Sequence, residues 1–142
     1  MRTSTSRISR VLALALGGAL SLGLLTATAT ATAATDDLDA PYARAAAKVA
    51  ANATVEHSKN VTSVTRGGSS GRKGIYCVKV PTTAVSNLGA AAILATLSDY
   101  RGEITAIGKA HAYCGNDAHT ITVVTSDDAG KDADRPFTVA VL

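Results

Sequence analysis

Short blocks rich in Val, Ile and Thr recur through the second half of the chain, each closed off by Gly, Asn, Asp or Ser, and this punctuation points to an all-β fold. Residues 61–66 form the first clear block, and residues 75–80 follow it across a segment containing Gly67, Gly68, Gly71 and Gly74. In the second block Ile75, Cys77 and Lys79 alternate with Tyr76, Val78 and Val80, the period expected of a strand with two different faces. The pair reads as a hairpin with a long loop, on which Arg72 and Lys73 are expected to be solvated charges. Residues 103–107, 119–125 and 137–142 continue the pattern. In the strongest of these, Thr120, Thr122 and Val124 face one way, and His119, Ile121, Val123 and Thr125 the other.

Two segments are ambiguous by local propensity. Residues 90–97 contain Ala and Leu, which favour helix, but their length suits a strand, and a strand is expected there. Residues 43–53 are Ala-rich, with Asp39 placed to cap and Pro41 to open a helix. Short strands at the spacing of the rest of the chain imply a sandwich or barrel whose edges need filling, so a strand is expected over 43–50. The resulting reading is an antiparallel sandwich or partly open barrel of about seven strands, with a core of Val, Ile, Leu and Ala in which Tyr76 and Phe137 are the bulky members.

The amino-terminal third reads differently. Arg2, Arg7 and Arg10 precede an apolar run from Val11 to Leu25, and an alternation of Ala and Thr follows. This is the order of a helical secretory signal peptide: a basic start, an apolar stretch shorter than a membrane span, and small residues suited to cleavage after Ala31, Ala33 or Ala34. The expected organisation is a signal and cleavage region over 1–34, a flexible lead-in over 35–42 and a single β domain over 43–142. Of the 14 Lys and Arg, three lie in the first ten residues, whereas all 11 Asp and Glu follow residue 35, so the exported part carries 11 of each. A formally neutral domain gives no support to a nucleic-acid partner, and no second apolar run argues for stable membrane insertion after cleavage.

Cys77 and Cys114 are the two cysteines of the chain, and an exported protein meets an oxidising environment. One intramolecular pairing is possible, and a closed loop of this length stabilises by about 3 to 4 kcal/mol in the chain-entropy model.

The blocks Asn60-Val-Thr-Ser-Val-Thr65, Gly74-Ile-Tyr-Cys-Val78 and Cys114-Gly115, followed by residues 120–130 and Ala133-Asp-Arg-Pro-Phe137, occur in this order. In this the chain resembles a group of small uncharacterised secreted proteins of high-GC Gram-positive bacteria, from about residue 45 to the end. The resemblance implies no activity; it implies the Cys77–Cys114 pairing and a strand in the Ala-rich segment. The Gly-rich loop and residues 45–53 depart from the usual look of the group.

Motifs that carry chemistry are sparse. His111, Cys114 and His119 are close enough in sequence to be metal ligands, but a disulfide at Cys114 would remove it from such a set. Asp127, Asp128, Asp132 and Asp134 could offer oxygen ligands to calcium, yet they miss the EF-hand spacing and suit a solvated turn equally. No Gly-x-Ser-x-Gly elbow accompanies the Ser, His and Asp residues, and the Gly-rich loop lacks the Gly-Lys-Ser/Thr ending of a phosphate loop. Asn52-Ala-Thr54 and Asn60-Val-Thr62 fit the glycosylation pattern, and in a bacterium are expected to be unmodified. No cofactor is expected. The expectation is a secreted, non-enzymatic β domain that binds an extracellular ligand or protein or associates with the envelope. A secreted protease inhibitor is the alternative, and a small hydrolase using His111 or His119 is a third.

Overall fold

The computed structural model describes residues 32–33, 35–68 and 71–142. The helical signal peptide expected at the amino terminus lies outside these residues, except that Thr32–Ala33, within the segment expected to hold the cleavage site, form a two-residue strand, β1. The strands that follow are β2 (Ala45–Val49), β3 (Val55–Lys59), β4 (Ser63–Arg66), β5 (Ile75–Lys79), β6 (Ile93–Leu97), β7 (Glu103–Ile107), β8 (Thr120–Ser126) and β9 (Phe137–Val141). Short 3₁₀ turns at Leu88–Ala90 and Ala112–Cys114 are the helical elements among the described residues.

The strands make two antiparallel sheets, one in the order β1-β4-β5-β8-β7 and the other β3-β2-β9-β6, packed as a sandwich. Alternation sends Tyr76 and Val78 of β5, Ile121 and Val123 of β8, Ala45, Ala47 and Val49 of β2, and Phe137, Val139 and Val141 of β9 into one buried cluster. Tyr76 and Phe137 meet there edge to face at 4.9 Å, joining the two sheets at their bulkiest point.

The Ala-rich segment is strand, as the topology requires: β2 is an inner strand, hydrogen-bonded between β3 and β9, and its small side chains are almost wholly buried. Its ladder on both sides outweighs the modest helix preference of Ala. The strand expected over 90–97 begins at Ile93, because residues 88–90 turn to bury Leu88.

Among the described residues there are eight full-length strands against the expected count of about seven, and the addition is β3. Its residues, Val55-Glu-His-Ser-Lys59, are mostly polar, and Ser58 is the fully buried one. An edge strand needs little apolar surface of its own when hydrogen bonds fasten it on both sides. Those on the outer side come from the segment read as a flexible lead-in. The amides of Asp37 and Leu38 donate to the Ser58 carbonyl, each at 2.8 Å, and the Ser58 amide donates to Asp37 Oδ1 at 3.1 Å. The Ser58 hydroxyl donates to the Thr35 carbonyl, and Lys59 Nζ reaches the Ala40 carbonyl at 2.8 Å.

The edges are therefore managed in three ways. Residues 35–38 cover β3, β1 covers β4, and β6 and β7 pack against each other where the chain passes from one sheet to the next. That passage depends on Gly102, whose φ of 145° suits glycine and whose Cβ, if present, would overlap the Ser126 carbonyl. Gly102→Ala is expected to cost about 2 kcal/mol through strain and displacement of β8. Urea unfolding checks it, and an unchanged midpoint would show that the corner yields freely.

Candidate functional site

The outward face of the first sheet carries a groove of about 320 Å³ whose wall is built by the disulfide. Cys77 points outward from the middle of β5, opposite Thr65 of β4 and Thr122 of β8. Its bond to Cys114, 37 residues on, pulls the Ala112–Cys114 turn down onto the sheet. His111 Nδ1 accepts from the Tyr113 amide at the start of this turn, and Gly115 ends it in the left-handed region at φ 68°. Thr122 is completely buried beneath, and its hydroxyl has no hydrogen-bond partner.

Three further strands of connection hold this face. The Tyr113 carbonyl accepts from the Gly68 amide at 2.7 Å. Arg72 lies 5.5 Å over the Tyr113 ring and pairs with Asp132 at 3.0 Å. Arg72, expected to be a solvated loop charge, is exposed, and it also links the Gly-rich loop to the 3₁₀ turn and to the chain entering β9. Lys79, leaving β5 outward, pairs with Asp117 at 2.9 Å across the floor of the groove.

Asp117 is the most strongly perturbed acid of the face. Its carboxylate accepts from the His119 amide at 2.9 Å, from Lys79, and from the Thr120 hydroxyl at 3.0 Å. The His119 amide, then Lys79, hold its pKa down to about 2. At neutral pH Asp117 is therefore ionised. The groove offers hydroxyls, a charge pair and an aromatic edge.

Neither candidate metal cluster is assembled. Asp134 is bound to Arg66 and to the Gly74 amide, Asp132 to Arg72, and Asp127 folds back on the amides of Ala129 and Lys131, while Asp128 is exposed. Cys114 is committed to the disulfide and His111 to its turn. Among the described residues no three His, Cys, Asp or Glu are grouped to hold an ion. On β3, His57 pairs with Asp37 at 3.1 Å beside Ser58, but the Ser58 hydroxyl is given to the Thr35 carbonyl, so no Ser-His-Asp relay forms.

Sequence reasoning did not single out Asp117 and Lys79. The signals available were the outward phase of Lys79 in β5 and the Asp-x-His-Thr spacing, in which a carboxylate reaches the amide two residues on. No protein-family model, curated protein or solved structure matches the chain.

Proposed function

We propose that this chain is an exported, non-enzymatic binding domain, acting outside the cell or at the envelope of a high-GC Gram-positive bacterium. The observation that carries the reading is the groove beside Cys77–Cys114, a polar surface whose walls are fastened by a disulfide and two ion pairs and whose one strongly perturbed acid is held ionised. The signal-like start of the sequence supports export. A surface braced by a covalent cross-link loses less freedom when a ligand docks, which favours binding by pre-organisation.

Purification from the medium of cells making the full chain, followed by co-sedimentation with isolated envelopes, tests it. Wild type is expected in the pellet. Lys79→Glu, which sets two acids side by side in the groove, is expected to reduce the retained fraction at least fivefold without lowering the melting temperature by more than a few degrees. Equal retention of both proteins would remove the groove from the binding surface. Hydrolysis of ester, glycoside or peptide substrates, lost on His111→Ala or His119→Ala, would overturn the non-enzymatic reading.

A further inference from the structure

Of the strand edges of the sandwich, β4 differs from the others in what lies along it. β3 is bordered by residues 35–38, and β6 and β7, edge strands of different sheets, lie against each other without sharing a ladder. β4 is covered by Thr32 and Ala33, which lie inside the small-residue stretch where the signal would be cut. Cleavage after Ala33 or Ala34 would take β1 away and leave β4 bare, while cleavage after Ala31 would leave it covered.

The backbone of β4 defines what this edge presents. The Gly67 amide donates to the Ile75 carbonyl at 3.0 Å, and on the far side of β5 the Val80 amide donates to His119 and the Thr125 amide to Gly74. Alternation in antiparallel ladders then directs the amides and carbonyls of Ser63 and Thr65 towards β5, and those of Val64 and Arg66 outward. β1 lies antiparallel on that side, with Thr32 opposite Val64 and Ala33 opposite Ser63. The residue types seated there are thus one β-branched and one small residue in extended conformation. The edge has no Pro, and its one charge, on Arg66, is turned to the Tyr76 side and occupied by Asp134. It lacks the devices by which exposed edges usually repel a strand.

We infer that β4 is a peptide-binding edge, opened by removal of β1, which takes an extended segment of small and β-branched residues as an added antiparallel strand. This rests on the exported-domain reading and names its partner class. Main-chain bonds to Val64 and Arg66 supply the attachment. Alternate residues of the guest, those opposite Ser63 and Thr65, lie over the groove that ends at the Lys79–Asp117 pair and provide selection.

The probe is a synthetic peptide with the sequence of residues 26–35, added to the full chain as processed and secreted, with amide hydrogen exchange as the readout. The intact mass of the secreted protein is measured first. A chain beginning beyond Ala33 is expected, with the amides of Val64 and Arg66 exchanging freely and slowed at least tenfold by saturating peptide. A peptide of the same length with Pro at two alternate Thr positions is expected to give no slowing, since Pro cannot donate to the ladder. A chain that stays in the cell with its leader intact would sink the export reading. A secreted chain that keeps Thr32 and Ala33 would overturn this inference alone. So would absence of protection at millimolar peptide, equal protection by the Pro peptide, or protection of Val64 without peptide in a dimer detected by sedimentation, which would make the occupant a second copy.

Discussion

Joint replacement of Cys77 and Cys114 by Ser is expected to lower the melting temperature by more than 10 °C, taking about 3 to 4 kcal/mol of lost cross-link stabilisation and about 4 °C or more per kcal/mol for a domain of this size. The bond spans 37 residues, so its removal frees a long stretch of the unfolded chain. It also has a local consequence. The Ala112–Cys114 turn covers Thr122 and is otherwise held to the sheet mainly by the Tyr113 carbonyl and the Arg72 contacts, so without the bond water reaches the middle of the outer face. Changing both residues avoids leaving a reactive thiol. Thermal unfolding of wild type with and without reductant should show the same shift as the double variant. Coincident curves for all three would mean that the bridge adds nothing to the stability of the domain.

Asp134→Ala is expected to cost about 3 kcal/mol, out of proportion to its position near the surface. Arg66 reaches inward over the Tyr76 ring at 4.8 Å, donates to the Ala51 carbonyl at 2.9 Å and is neutralised by Asp134. The Tyr76 hydroxyl donates to the same Ala51 carbonyl at 2.8 Å, and the Gly74 amide to Asp134 at 2.7 Å. Removing the carboxylate therefore leaves a largely buried cation without its counter-charge and the Gly74 amide without its acceptor at the end of the core. Asp128→Ala, which removes an exposed acid of the same stretch, should be neutral within about 0.5 kcal/mol. Equal midpoints for the two variants in urea would refute the assignment.

The same carboxylate makes stability depend on pH in a definite direction. Burial pushes the Asp134 pKa up, but Arg66 and the Gly74 amide outweigh it and leave it below the ordinary carboxylate value, while Asp117 lies at about 2. A group with a depressed folded pKa stabilises fully above its unfolded value and loses that contribution as pH falls through the folded one. The melting temperature should therefore be level from neutrality to about pH 4 and fall between about pH 4 and 2, with a shallower fall in Asp134→Ala.

How much was readable from the chain differs by element. β5, β7, β8 and β9 were visible because each carries its own alternation, and β5 announced Cys77 as facing away from Tyr76 and Val78. β2 was resolved against its Ala propensity by the pattern around it. β3 was not visible, since Glu56, His57 and Lys59 give no apolar period and buried Ser58 is bonded to a segment 21 to 23 residues earlier. The groove was invisible for a related reason. Thr65, Lys79 and Asp117 are ordinary surface residues until the strand register sets them on one face and the disulfide raises a wall beside them.

What the sequence by itself determined is the class of fold, the position of most strands and the pairing of the two cysteines, because alternation along a strand is a local property and two cysteines allow one intramolecular bond. The tertiary structure alone decided which polar residues are fastened at the edges, that Arg66 and Asp134 close the end of the core, and that Thr32 and Ala33 lie along β4. Each of these rests on a contact between segments far apart in the chain, and such contacts follow from register and sheet order, which short-range periodicity does not encode.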